Sequence, residues 1–302
     1  MKREPLIRFG LLIARLCAAL PLGLLRVLGD LLGTLAWWLA TPRRRVTLIN
    51  LGLCFPDRSE AERRSIARAH FRVYARSFLE RFIVWEGDPG RIRRLCRLEG
   101  LDRLEALRQQ GLPVIVLAPH FMGIDAGALR LLLELPMASM FAPQRSRALT
   151  EAMTAGRVRL GATMIARREG VRPLVRWLRQ GGVLHYSPDM DLGRREAVFV
   201  PFFGVPAATV TALPRLARAG GAVILPMVTE MTAEGYVARI HEPWRLAADE
   251  SDPFPVLARM NAFIEAQIRQ MPEQYLWSHR RFKTRPEGEP QPYARMPRAD
   301  RR

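Results

Sequence analysis

The chain uses two kinds of apolar pattern: long runs interrupted singly by charge, and short wholly apolar runs closed by proline or glycine. Residues 6–40 are the first kind, LIRFGLLIARLCAALPLGLLRVLGDLLGTLAWWLA, broken by Arg8, Arg15, Arg26 and Asp30. A spanning helix needs about 20 largely uncharged residues, and the uncharged stretches here are shorter. At about 100° per residue the three arginines fall within roughly 20° of one another and Asp30 within about 40°. The pattern predicts an apolar helix with one polar stripe, kinked or broken near Pro21 and Gly23. A helix lying in a membrane interface has that character. Trp37 and Trp38, followed by Arg43, Arg44 and Arg45, suit a headgroup boundary on the cytoplasmic side. Two amphipathic helices packed on the domain, or a single span, are the competing expectations.

Residues 46–100 carry helical periodicity. Ser59 is placed as a cap, His70 as an ordinary helix residue, and Asp88-Pro89-Gly90 as a break. The second kind of pattern follows. Val114–Leu117 is β-branched and bounded by prolines, as a buried strand is. A helix is expected from Gly123, a short strand from Met137, and another strand ending in a loop over residues 182–189, with Asp189 and Asp191 at its exit. Residues 198–206 are densely apolar, either core or the wall of a groove for an aliphatic chain. Residues 207–209 are expected to enter a helix that ends near Gly220. Strands over 222–228 and Tyr236–Ile240 and a helix over 254–271 complete an α/β pattern. The Pro- and Arg-rich tail after Pro286 is expected to be poorly ordered. The divisions are 1–45, 46–286 and 287–302.

Candidate chemistry sits where the first strand ends. Pro119 and His120 occupy a loop at the carboxyl edge of a sheet, where open α/β sheets bind ligands. Asp125 follows His120 by five positions. On one continuous helix that spacing rotates the side chains roughly 140° apart. They can meet only if His120 precedes the helix and Asp125 lies in its first turn, where an acid also suits the helix dipole. A carboxylate holding one imidazole nitrogen leaves the other to take a proton from a hydroxyl. The spacing by itself is a weak pattern that more readily fits a structural loop histidine and a helix-start acid.

Charge extends the picture. The net charge is +18 across 302 residues, almost all of the cation arginine, so the chain should seek polyanions: nucleic acid, anionic membrane, phosphorylated substrates or an acidic protein. There is no zinc-finger spacing and no RNA-recognition aromatic motif, which argues against nucleic acid. Cys17, Cys54 and Cys96 are scattered, as in a reducing compartment without a disulfide framework. The five histidines form no spaced ligand cluster, so no metal is expected. Arg157 and Arg159 would diverge by about 200° on a helix, so that one could face an anion while the other meets solvent.

Several stretches together resemble a family. They are Asn50-Leu51-Gly52-Leu53-Cys54-Phe55-Pro56, the His120 to Asp125 motif, Gly156-Arg157-Val158-Arg159, and Ser187-Pro188-Asp189-Met190-Asp191-Leu192-Gly193 running into residues 198–204 and 207–209. The last and most specific is Pro272-Glu273-Gln274-Tyr275-Leu276-Trp277-Ser278-His279-Arg280-Arg281-Phe282-Lys283-Thr284-Arg285-Pro286-Glu287-Gly288. Nearly end to end, the chain resembles the late acyltransferases of lipid A biosynthesis, within the lysophospholipid and glycerophosphate acyltransferase superfamily. Many lipid A members carry glutamate where this chain has Asp125, as the glycerolipid branch does.

The resemblance implies a single glycerol-3-phosphate acyltransferase-like domain, a central mixed sheet flanked by helices, with N-terminal membrane-associated helices. It implies transfer of an acyl group from acyl carrier protein to a hydroxyl of a phosphorylated glycolipid at the cytoplasmic face of the inner membrane, without metal or diffusible cofactor. His120 would be the base and Asp125 its partner. Phe121, Gly123, Phe141, Ala142, Pro143, Ser187, Pro188 and Asp189 would line the substrate site, and Arg157, with Arg159 second, would bind phosphate. Backbone amides near Gly123 would hold the oxyanion. The rivals are another lipid acceptor, such as a lysophospholipid, and a non-enzymatic basic protein binding membrane or nucleic acid.

Overall fold

A computed structural model describes residues 4–144, 146–247 and 251–294. The N-terminal pattern folds as two helices, α1 (Glu4–Ala18) and α2 (Leu22–Leu39), broken at Pro21, with α3 (Thr41–Cys54) and the long α4 (Glu60–Glu86) behind them. Ser59 caps α4 through a reciprocal capping box with Glu62.

Helix α2 lies along α4. Gly29 and Gly33 let the backbones touch: a Cβ on Gly33 would stand 2.5 Å from the Arg72 Cα. On α2 the polar stripe turns toward the protein, while on α1 Arg8 and Arg15 stay exposed. Arg26 is buried, with Nε 3.0 Å from Glu80 Oε1, and Arg76 Nε donates to Asp30 Oδ1 at 2.6 Å. Arg15 pairs with Glu86 at 2.9 Å and Arg8 with Glu151 at 3.8 Å. The opposite face leaves Phe9, Leu12, Leu16, Leu24, Val27, Leu31, Leu35, Trp38 and Leu39 exposed. By length and composition α2 could cross a membrane. Its ion pairs to α4, the buried Arg26–Glu80 and the half-buried Asp30–Arg76, hold it along that helix.

Past the break at Gly87 come α5 (Pro89–Leu95), β1 (Cys96–Glu99), α6 (Leu101–Gln109), β2 (Val114–Leu117), α7 (Ile124–Leu132), β3 (Met137–Phe141), α8 (Arg147–Val158), β4 (Thr163–Ala166), α9 (Arg172–Arg179) and β5 (Val183–Tyr186). Then follow β6 (Ala197–Phe202), β7 (Val205–Val210), α10 (Ala212–Gly220), β8 (Val223–Met231), β9 (Tyr236–Ile240) and α11 (Phe254–Gln270). Seven strands form one sheet in the order β1-β9-β8-β2-β5-β3-β4, parallel except between β8 and β9. This is the expected mixed sheet flanked by helices in one α/β domain.

All four residues of β2 are buried, as helices on both faces require. Ile115 and Leu117 enter one core with α9, α10 and α11, while Val114 and Val116 enter the other with α7 and the end of α4. That double burial makes β2 read as an unbroken apolar run.

Three elements depart from the expected pattern. β1 lies inside the stretch read as helical, and β4 follows the arginine-dense segment unannounced. Residues 207–209 belong to β7, paired antiparallel with β6, and the helix begins only at Ala212. Each of β1 and β4 is four residues long, too short for local periodicity to distinguish helix from strand. The tail differs too: Tyr293 is buried, its hydroxyl donating to Asn50 and accepting from the Phe282 amide at 3.2 Å. Residues 295–302 lie outside the described residues.

Candidate active site

β2 is the central strand, and its carboxyl end delivers Pro119 and His120 onto a loop closed by the start of α7. The C-terminal block holds that loop from behind. The Leu276 amide donates to His120 O at 3.1 Å and the Met122 amide to Gln274 O at 2.8 Å, with Phe121 and Tyr275 bridged between them. The long family-specific stretch is therefore the brace of the histidine loop. Gly123 and Gly127 bring the first turn of α7 onto β8: a Cβ on Gly123 would stand 2.7 Å from Thr229 O, and one on Gly127 1.9 Å from Thr229 Oγ1. No other residue permits that approach.

His120 finds its acid in the loop just past the neighbouring strand. Its Nδ1 lies 2.6 Å from Oδ1 of Asp189, which follows β5, and its amide donates to Asp189 Oδ2 at 2.9 Å. Tyr275 OH donates to the same Oδ2 at 3.1 Å. Asp189 is buried with both oxygens satisfied. Burial alone would raise its carboxyl, but the His120 ring and amide pull it down to about 2. For His120, burial alone would lower the pKa, but Asp189 outweighs it and the net shift is upward. An ionised Asp189 fixes the proton on Nδ1 and leaves Nε2 as the acceptor. The next acid, Asp191, accepts from Gly193 N, Thr284 N and Thr284 Oγ1 at 2.7–2.9 Å and so ties the loop to the C-terminal block.

Asp125 does not clamp the imidazole as its spacing suggested. One oxygen accepts from Arg157 Nη2, and the other lies 2.7 Å from Arg81 Nε. Burial tends to raise this carboxyl, but Arg157 first and Arg81 next hold it below the ordinary range. The physical reason is competition: two guanidiniums reach the first turn of α7 from α8 and α4, and a carboxylate prefers full cations to a neutral ring. Asp125 acts on His120 only as a nearby charge.

Arg159 is likewise elsewhere. It donates to Trp85 O at 2.6 Å, Val84 O at 3.0 Å and Gly87 O at 2.6 Å, satisfying carbonyls at the end of α4. It is a helix cap, not an anion ligand in the cleft. The expected divergence of the two arginines holds, and the second, though exposed, bonds backbone carbonyls.

His120 and Asp125 open on a cleft of about 380 Å³ running over the ends of β2, β5, β3 and β4. Of the predicted site residues, Phe141, Ala142, Arg157, Ser187 and Pro188 line it. Phe121 is buried behind the loop against Tyr275, Gly123 caps α7, and Pro143 is exposed outside the lining. The cleft also takes Arg81, Ser139, Gln144, Arg167 and His185, with Met140, Met153 and Met164 among its apolar lining. Sequence gave no signal for Arg81, whose helix turn meets the site only through tertiary packing. Among the described residues, Cys54 and Cys96 are buried free thiols.

A histidine bonded to a buried carboxylate at a sheet edge thus stands beside two arginines in a partly apolar cleft. The model of the bacterial lipid A biosynthesis acyltransferases matches residues 1–284, and the chain belongs to that family. It is 35% identical over 284 residues to the lipid A biosynthesis palmitoleoyltransferase of Escherichia coli K12, covering 93% of this chain and 92% of that one. To the lauroyltransferase of the same organism it is 33% identical over 286 residues, covering 94% and 93%. The myristoyltransferase is 34% identical over 268 residues, covering 87% and 82%. The crystal structure of the 1-acyl-sn-glycerophosphate acyltransferase PlsC from Thermotoga maritima aligns with TM-score 0.40 and 13% identity over 80% of this chain and 97% of that one, a likeness on which nothing here rests.

Proposed function

We propose that this acyltransferase moves a fatty acyl group from acyl carrier protein to a hydroxyl of a phosphorylated lipid A precursor, with His120 as base and Asp189 as the acid that orients it. The observation that carries this is the 2.6 Å contact between His120 Nδ1 and Asp189 Oδ1 inside a cleft that also holds the Arg81–Arg157 pair. His120 Nε2 takes the proton of the acceptor hydroxyl as its oxygen attacks the thioester carbonyl. The tetrahedral oxyanion collapses, expelling the thiolate, which recovers the proton from the imidazolium. Asp189 stabilises that cation. Asp125 holds the two guanidiniums in place, and their surplus positive charge receives a phosphate of the acceptor. The donor is already an activated thioester, so no cofactor is required.

The outward apolar face of α1 and α2 supports docking on a membrane. A soluble helix hides its apolar face and shows its charges; α2 instead buries Arg26, half-buries Asp30 and leaves leucines outside. We infer in-plane insertion at the cytoplasmic side of the inner membrane, with Trp38 at the boundary and Arg43, Arg44 and Arg45 near anionic headgroups. Carrier protein, glycolipid phosphates and membrane surface are all acidic, which suits a net charge of +18. Mass spectrometry of lipid A from cells lacking and then regaining the protein tests the assignment. An acyl chain lost and restored by the wild type, but not by His120→Ala, is expected; an unchanged pattern would reject it.

A further inference from the structure

The cleft contains a histidine that the chemistry above does not use. His185 is the third residue of β5, in register with Val116 of β2 and Ser139 of β3. It is 9% exposed and lines the cleft. Nε2 is shielded from solvent without a hydrogen-bond partner, and the ring makes no hydrogen bond among the described residues. The Ser139 hydroxyl, on the same face of the sheet, also lines the cleft and has no partner among them. Burial, then Arg157, push the His185 imidazole down to about 4, so it is neutral at physiological pH and still owns an N–H donor. A buried polar group without a partner costs stability and calls for a functional explanation.

Position supplies one. Across the sheet, Val116, His185, Ser139 and Met164 stand in register on β2, β5, β3 and β4, so His185 and Ser139 lie between the strand that ends at His120 and Met164. An acyl chain laid over the strand ends from the base toward Met164 crosses them. The loop's own amides are mostly committed: those of His120, Phe121, Met122 and Ile124 donate to Asp189, Pro119, Gln274 and Phe121.

Building on the acyl-transfer reading above, we propose that His185, with Ser139 beside it, receives an oxygen carried by the acyl donor at or next to its reacting carbon. That oxygen is the thioester carbonyl, which becomes the oxyanion when the acceptor attacks, or a hydroxyl on an adjoining chain carbon. His185 then touches substrate and sets rate or donor choice.

Purified full-length enzyme is assayed with carrier protein bearing a saturated acyl chain or its 3-hydroxy counterpart, using wild type, His185→Leu, His185→Gln and Ser139→Ala. If the carbonyl is received, His185→Leu lowers kcat on both donors by about 10²–10³-fold. If the hydroxyl is received, wild type prefers the hydroxylated donor and His185→Leu erases that preference. In either case Gln restores activity to within about tenfold of wild type, as a retained donor should. Leucine also holds or raises Tm, because an apolar side chain replaces an unpaired buried nitrogen. Wild-type rates and donor preference in His185→Leu would overturn the inference, as would equal falls of Tm and kcat in both the Leu and Gln variants. A wild type that transfers neither chain would overturn the acyltransferase reading itself, and is told apart because it appears before any substitution is made.

Discussion

Asp189 follows His120 by 69 residues and bonds both its ring and its amide, whereas Asp125, five residues on, bonds arginines. The two acids near the histidine therefore have separate expected signatures. Asp189→Asn should lower kcat by about 10²–10⁴-fold with little change in KM, because the imidazole loses its tautomer and its counter-charge. Asp125→Asn should act chiefly on acceptor KM by releasing Arg81 and Arg157. Steady-state kinetics with both substrates varied separates them; a kcat collapse confined to Asp125→Asn would restore the adjacent acid as the partner.

The pH profile follows from the same pair. The base works unprotonated, and His120 is raised above its ordinary 6.5, so kcat/KM should climb through a limb above that value. Asp189→Asn leaves burial to dominate and should move the limb below it. Stability has two windows. The His120 contribution is full below pH 6.5 and fades as pH rises through the raised value. The Asp189 contribution is full above about pH 4 and fades toward pH 2. Unfolding measured against pH should show the acid loss shrink in Asp189→Asn.

Arg81 and Arg157 should weaken acceptor binding when replaced singly by alanine, each raising KM by about tenfold or more, as loss of a charge-assisted contact does. The effect should shrink for an acceptor lacking its phosphates. Equal effects on phosphorylated and dephosphorylated acceptors would remove the phosphate role.

Arg159→Ala should behave oppositely. It strips three carbonyl contacts from the end of α4, costing about 1–3 kcal/mol of stability, and should leave both KM values near wild type. Denaturant titration beside kinetics checks this.

Membrane docking is tested at the outward face of α2. Leu31→Glu with Leu35→Glu should abolish co-sedimentation with anionic phospholipid vesicles while a soluble thioester donor is still turned over. Both side chains are exposed, so the fold should tolerate the change.

Local pattern was enough for much of this. β2 shows as a strand because its two buried faces leave no room for polar residues, Ser59 as a cap because its partner Glu62 is three residues away, and Gly123 and Asp125 as the start of a helix. Such relationships close within one turn or one strand, so composition and spacing carry them. The chain also determined by itself its apolar N-terminal stripe, its excess of arginine and the position of His120 at a strand end.

Tertiary structure alone decided which partners those residues take. Asp125 was near His120 in sequence, yet Arg157 and Arg81 arrive from α8 and α4 and win it by charge. Asp189 arrives just after β5 because that strand pairs with β2 in parallel and ends at the same edge. The stripe of Arg26 and Asp30 meets α4 instead of water because Gly29 and Gly33 let the helices touch. A carboxylate's choice of partner depends on every cation within a few ångströms, and strand order and helix packing, not chain spacing, determine which cations those are.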